Sequence, residues 1–312
     1  MNQTVTRKSK RDVNGILILD KPRGISSNRA LQIAKRLYAA RKAGHTGSLD
    51  PLATGMLPLC FGHATKVSGL LLESDKAYEV RIRFGAKTNT ADAEGEIIEE
   101  CGVQSVEPAT LEQLLQGFVG DSEQIPPMYS ALKQDGQRLY KLAREGIEVE
   151  RKPRRIRILD LRVLDEDPAE PKLFVHCSKG TYIRSLAEDI AAAAGTLGYV
   201  TELHRVWVDP FADMPMVTLE QLEALAEQGE TALDQLLTGA DMALQHLAGV
   251  SFDALNVRRL LQGQVANGAG LAESGADIRM YDDNGDFIGL GQVLSVPEGC
   301  LEVAPKRLFV SA

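Results

Sequence analysis

Residues 44–55, GHTGSLDPLATG, gather His45, Ser48 and Asp50 in one glycine-rich stretch. Three chemistries suggest themselves and each lacks a part. A phosphate cradle would read GxxxxGK[ST], and here the lysine that reaches a phosphate is missing. Acyl transfer would use Ser48 with His45 and Asp50, but no GxSxG elbow is present, and neighbours in sequence seldom converge into a triad. A metal site would need paired ligands, yet His45, His63, His176, His204 and His246 are scattered. Cys60, Cys101, Cys177 and Cys300 form no CxxC pair, which argues against both zinc and a disulfide framework. There remains Asp50, between Leu49 and Pro51, in a loop expected to need Gly44, Gly47 and Gly55 to turn tightly. An Asp-Pro in a loop is usually only a turn, so a chemical role for Asp50 needs a more specific signal.

The elements that would position it are legible in part. Residues 16–19 are a short apolar run ended by DKPRG, a strand and then a turn. Ser26 or Ser27 can cap a helix over 28–40. Residues 43–66 lack periodicity and read as a structured loop. Over 78–84, Tyr78, Val80, Ile82 and Phe84 share one face of a strand, and Glu79, Arg81 and Arg83 the other. Residues 125–155 look like a basic insertion with a short helix over 139–144. Strands are expected at 157–165 and 173–177, and a helix over 182–194. Thr218 and Gln221 form a capping box for a helix over 219–228. Beyond about residue 250 come short glycine-rich segments, with Asn284-Gly285 as a hairpin signal.

With 44% hydrophobic and 25% charged residues in 312, the chain is of ordinary globular composition, so collagen-like and disordered readings fail. Its N-terminus has no apolar segment of the secretory type, and the longest apolar stretch, 56–72, is broken by His63 and Lys66. A cytoplasmic protein is expected. The net charge of −8 conceals a polarity: residues 1–90 carry +10, 131–160 carry +4, and 211–312 carry −10. A polyanion would be met by the first ninety residues and the insertion.

Five phrases together resemble the TruB family of pseudouridine synthases. These are GILILDKPRGISSNRAL (15–31), the Asp50 phrase (43–66), DKAYEVRIRFGAKTNTADAEGE (75–96), IPPMYSALKQDGQRLYKLAREG (125–146) and CSKGTYIRSLAEDI (177–190). The resemblance runs over about residues 13–210. It implies an α+β protein with a pseudouridine synthase fold, a mixed or antiparallel sheet flanked by helices, and a small C-terminal β-rich, PUA-like domain. It implies a basic flexible tail over 1–12, a catalytic domain over 13–248 with an RNA-binding insertion at about 125–155, and the PUA-like domain over 249–312.

The implied activity is isomerisation of uridine 55 in the TΨC loop of tRNA, on the T-arm, after the base is flipped out. Carried over by their motifs, Asp50 is the nucleophile, Arg184 its ion-pair partner, and Tyr78 a stacking residue and proton carrier. His45 takes the vacated place of the flipped base, and Tyr182 and Leu203 line the pocket. The rearrangement gains and loses no atoms, so no cofactor and no metal are implied, nor a protein partner or an oligomer beyond the monomer. Lys21 and Pro22 read as scaffold. Where the family usually has Leu-Arg-Arg, this chain has Leu203-His204-Arg205. Three rival readings are an RNA-binding or RNA-folding protein with an idle site, a guide-dependent synthase, and a synthase of the same family acting on another RNA.

Overall fold

A run such as TGMLPLCF has no polar face and suits a strand covered on both sides. The computed structural model describes residues 9–102, 105–134, 136–297 and 300–309. Its strands begin with β1 (Gly15–Lys21), β2 (Ala43–His45), β3 (Thr54–Phe61), β4 (Lys76–Phe84), β5 (Ala86–Thr88) and β6 (Ile97–Glu100). They continue with β7 (Gly120–Gln124), β8 (Lys133–Gln134), β9 (Gln137–Arg138), β10 (Arg154–Asp165), β11 (Lys172–Cys177) and β12 (Gly198–Val208). The C-terminal part holds β13 (Ala248–Ser251), β14 (Ala266–Gly268), β15 (Asp277–Tyr281), β16 (Phe287–Ser295) and β17 (Leu301–Leu308). The helices are α1 (Ser27–Leu37), α2 (Ser68–Leu72), α3 (Pro108–Gln116), α4 (Leu139–Arg144), α5 (Ile183–Ala193), α6 (Leu219–Gln228), α7 (Glu230–Asp234) and α8 (Ala254–Leu261).

An eight-stranded sheet runs β1-β3-β12-β4-β11-β10-β7, with β2 also paired to β3. Its pairs are antiparallel except β3 with β12, which meet in parallel where His204 faces Thr54 and Arg205 faces Gly55. The alternation read in 78–84 is realised: Tyr78, Val80, Ile82 and Phe84 are buried on one face. There they join the apolar sides of α1, α3, α5 and α6 in the main core. A second core on the other side gathers Ile16, Ile18, Met56, Val67, Leu71, Val208 and Phe211.

A separate five-stranded sheet, β13-β15-β16-β17-β14, encloses a third core around Val250, Leu260, Ile278 and Val303. It is attached through Phe309, which packs in the second core 5.1 Å from the Phe287 ring, and through Arg307 Nη1, which donates to the Lys66 carbonyl at 2.7 Å. The architecture is α+β. Among the described residues, no helix is long and apolar enough to cross a membrane.

Several local expectations are corrected. Residues 43–66 are not one loop, because 54–61 is the interior strand β3; its burial on both sides removed the polar–apolar alternation that marks a half-exposed strand. Helix α1 stops at Leu37 rather than 40, since Ala39 turns left-handed at φ 50°. The strand expected from 157 starts at Arg154, where it pairs with Gln124. Of the tail expected over 1–12, residues 1–8 lie outside the described residues. Arg11 is not free: it pairs with Asp234 and with Glu230 at 3.1 Å, and its N–H donates to the Ala39 carbonyl.

Candidate active site

Residues 46–53 leave β2 and return as β3, and the chain on either side of Asp50 is pinned there. Ser27, the first residue of α1, is buried and both accepts from the Leu49 N–H (2.7 Å) and donates to the Leu49 carbonyl (2.9 Å). The Gly24 N–H donates to the Pro51 carbonyl at 2.8 Å. Arg205, fully buried on β12, donates to the carbonyls of Met56 (2.7 Å) and Gly47 (3.3 Å), tying both ends of the loop. Gly55 has φ +96°, and a Cβ there would stand 2.3 Å from the Arg205 carbonyl, so the close parallel pairing of β3 with β12 at this point requires glycine. Gly47 is likewise left-handed. Gly44, expected to be needed, has open space around it and an ordinary φ.

Asp50 meets Arg184 as the motif implied: Arg184 Nε lies 3.0 Å from Asp50 Oδ2. The arginine side chain is 6% exposed and the aspartate side chain 42%, so the pair has a buried back and an open front. Arg184 is fixed from three further directions. Its Nη1 donates to the Thr90 carbonyl (2.8 Å) and lies 3.6 Å from Asp92 Oδ2, and its Nη2 donates to the Tyr129 carbonyl (2.7 Å). Asp92 is itself buried and held, its Oδ1 accepting from Thr90 Oγ1 (2.7 Å) and the Glu94 N–H (3.1 Å). Ala91, beside it, is bent into the left-handed region at φ 61°, a costly conformation that these bonds maintain.

The electrostatics follow from this packing. Burial pushes the Asp50 carboxyl up from its ordinary value; Arg184 and Lys21 pull it down, and Asp92 adds to the rise. Burial also raises the Tyr78 hydroxyl, against the pull of Arg205, so Tyr78 keeps its proton at neutral pH. Tyr182 is raised in the same way. His45 is driven toward the neutral form by burial and by the Arg205 charge. Its Nδ1 is buried and has no hydrogen-bond partner among the described residues.

Tyr78, Leu203, Leu49 and Leu52 share the main core, and the charge of Asp50 reaches both Tyr78 and Tyr182. Tyr78 and Tyr182 therefore lie close to the Asp50–Arg184 pair, Leu203 joins them only as part of the same core, and His45, on β2, is linked through the charge of Arg205. Lys21 makes the contacts of a scaffold residue. It is wholly buried, donates to the carbonyls of Pro22 and Ile25 at 2.8 Å, and has its pKa lowered to about 8 by burial, a fall that Asp50 opposes.

Ser27, Asp92 and the loop-tying role of Arg205 were not legible from composition or periodicity. A buried arginine that donates to the carbonyls of Met56 and Gly47 leaves no pattern in sequence, although its charge also reaches the Tyr78 hydroxyl. His204 points elsewhere: its Nδ1 lies 2.9 Å from Thr54 Oγ1, in a cleft lined also by Asp20, Lys21 and Glu220.

Comparison with known proteins decides the family. The TruB family pseudouridylate synthase N-terminal domain matches residues 35–183, the tRNA pseudouridylate synthase B C-terminal domain matches 184–245, and the pseudouridine synthase II TruB C-terminal domain matches 248–309. Relatives named tRNA pseudouridine synthase B share 49% identity over 98% of both chains in Stutzerimonas stutzeri (strain A1501), and 48% over 98% of this chain and 99% of the relative in Pseudomonas aeruginosa (strain UCBPP-PA14). The chain belongs to the TruB family of pseudouridine synthases. Among solved structures, a Cbf5-Nop10-Gar1 complex matches with TM-score 0.71 at 22% identity, over 98% of this chain and 92% of that one. An archaeal box H/ACA Nop10-Cbf5 complex matches with TM-score 0.70 at 21% identity, over 96% and 87%. At such identity these two establish the pseudouridine synthase fold, and the TruB-family membership rests on the closer relatives.

Proposed function

We infer that this TruB-family protein isomerises uridine to pseudouridine in tRNA, at position 55 of the TΨC loop, with Asp50 as nucleophile. The observation that carries the reading is the Asp50–Arg184 pair, closed at the back and open at the front, in a chain 49% identical over 98% of its length to a tRNA pseudouridine synthase B.

The chemistry asks little beyond what these residues supply. The N1–C1′ bond breaks, the base turns, a C5–C1′ bond forms, the proton on C5 passes to water, and N1 takes up a proton in its place. No electrons are exchanged with a redox partner. An ionised carboxylate is required, and burial alone would neutralise it; Arg184 counteracts this as a fixed cationic partner. Tyr78 lies within reach of the charge on Asp50 with its proton retained, which suits stacking on the base and donation during the rearrangement. A uracil inside a folded loop must be flipped out to reach Asp50. Neutral His45, with its unpartnered Nδ1, suits the place the base leaves. Tyr182 and Leu203 complete the pocket wall.

Around the site Lys21, Lys76, Arg184 and Arg205 are buried cations, set against buried Asp92 and half-exposed Asp50. The protein is read as acting in the cytoplasm as a monomer, without a protein partner. In this reading a catalytic domain over 13–248 carries an RNA clamp at about 125–155, and a PUA-like domain follows it.

The test is tritium release from tRNA transcript carrying [5-³H]uridine, using purified wild-type protein and Asp50→Asn. Release by wild type alone, at about one equivalent per tRNA as a single modified site demands, and lost when U55 is changed to C, is the expected result. Tight tRNA binding without release would favour a guide-dependent or non-catalytic RNA-binding protein instead.

A further inference from the structure

Helix α5 delivers Arg184 to Asp50, yet its start has no side-chain cap. Tyr182, at the capping position, is extended (φ −96°, ψ 109°); its carbonyl accepts the first bond of the helix from the Leu186 N–H at 3.0 Å, and its N–H is satisfied from outside the helix. Gln124, the last residue of β7, is 4% exposed and turns its amide onto that one residue. Gln124 Oε1 accepts from the Tyr182 N–H at 2.8 Å, and Gln124 Nε2 donates to the Tyr182 carbonyl at 3.1 Å. The pair imitates the two-bond exchange of neighbouring antiparallel strands, made here by a side chain. A buried amide needs partners somewhere; both of these fall two residues before the arginine.

The segment that follows Gln124 is also fastened to the first turn of α5. Ser185 Oγ donates to the Ile125 carbonyl at 3.3 Å, and Arg184 Nη2 donates to the Tyr129 carbonyl at 2.7 Å. From the far end of the insertion, Arg151 Nη1 donates to the Pro126 carbonyl at 3.2 Å. Residues 124–129 thus form a rail beside the helix that carries the cation, and the same rail is the root of the basic insertion.

We propose that Gln124 is a positioning residue for the isomerisation: its amide fixes the backbone of Tyr182 and thereby holds Arg184 against Asp50. The proposal rests on the functional reading above. It also makes Arg184 sensitive to how the insertion is seated, because Gln124 and the Tyr129 carbonyl belong to one rail.

The experiment compares Gln124→Met and Gln124→Glu with wild type. Methionine keeps the length and bulk and removes both hydrogen bonds. Three quantities are measured: the single-turnover rate at saturating protein over about pH 5 to 9, tRNA affinity and melting temperature. Gln124→Met is expected to lose about ten- to a hundred-fold in rate, the scale of a sub-ångström to ångström misplacement, with tRNA affinity unchanged within about two-fold.

Its acid limb should move to higher pH. The groups facing Asp50 are Arg184 of α5, Lys21 of β1, Tyr78 of β4, Tyr182 before α5, and Asp92 and Glu94 of the loop after β5. Of these the arginine is the one that a slack α5 would withdraw. Gln124→Glu provides an internal check. Protonated, a glutamic acid can both accept from the Tyr182 N–H and donate to its carbonyl; ionised, it can only accept. Its rate relative to wild type should therefore rise as pH falls.

A wild-type rate in Gln124→Met, or a loss explained wholly by weaker tRNA binding, overturns the proposal and leaves the functional reading intact. Should Gln124→Met fail to fold, a pH-independent ratio of Gln124→Glu to wild type overturns it. No product from the wild-type protein overturns the functional reading and this proposal with it.

Discussion

The two sheets of this protein treat charge in opposite ways. Every buried polar or charged side chain among the described residues lies between Lys21 and Arg205, in the part built on the eight-stranded sheet. The five-stranded sheet encloses only apolar side chains, such as Val250, Ile278, Met280 and Val303. Burying a cation costs free energy unless its partners are in place. Four of them, Lys21, Lys76, Arg184 and Arg205, are nevertheless held near one loop. Stability alone would favour apolar replacements there, so the concentration marks the place where chemistry sets the requirement. The C-terminal sheet carries no such expense, and whatever it contributes it contributes through its surface and its attachment.

The sharpest way to break the comparison is to replace a buried cation by one of equal charge and different shape. Arg184 aims three nitrogens separately: Nε at Asp50, Nη1 at the Thr90 carbonyl and Asp92, and Nη2 at the Tyr129 carbonyl. A lysine has one nitrogen and cannot serve all three. Arg184→Lys is expected to lower the single-turnover rate by about 100- to 1,000-fold, the scale seen when a preorganised electrostatic partner is removed. A rate within a few-fold of wild type would mean that charge, and not the fork of donors, is what the site needs.

Titration is a gentler probe of the same contrast. In the proposed mechanism Asp50 acts as the carboxylate, and its pKa is raised by burial, a rise Arg184 only partly offsets. Activity should therefore fall on acidification at a higher pH than an ordinary aspartate would set. On the alkaline side Lys21 and Lys76, each lowered to about 8 by burial, lose their charge as pH rises through that value. The expected profile of rate against pH is a bell with its alkaline limb beginning near pH 8. Lys21→Arg, which cannot deprotonate in this range, should push that limb upward, and an unmoved limb would remove Lys21 from the titration.

How much of this could be read from sequence differs between the two halves of the problem. The strand bearing Tyr78, the helix bearing Arg184 and the capping box of Thr218 with Gln221 followed from periodicity and cap chemistry, and the structure has them. β3 did not, because an interior strand loses the alternation that betrays it. Asp50 itself looked like a turn residue until the TruB resemblance singled it out. Ser27 and Gln124 were invisible for another reason: each acts on the backbone of a residue far along the chain, Leu49 and Tyr182. Backbone partners leave no trace in the identity of the partner residue, so neither spacing nor composition could point to them.

The smallest effect on chemistry is expected from the other sheet, and it completes the comparison. Ile278 on β15 is fully buried in the third core, between Ala248 on one side and Gly291 on the other. Ile278→Ala removes apolar contacts and leaves a cavity, costing about 2–5 kcal/mol of stability. The loss is measured as a shift in the urea midpoint of the whole chain. No buried charge is near to be displaced, so the single-turnover rate of the folded fraction should match wild type at a temperature well below melting. The two sheets do share a boundary, since Phe309 packs in the second core and Arg307 donates to the Lys66 carbonyl. A rate that falls along with stability would show that this boundary transmits strain from the apolar sheet to the charged one, and the division of labour drawn between them would fail.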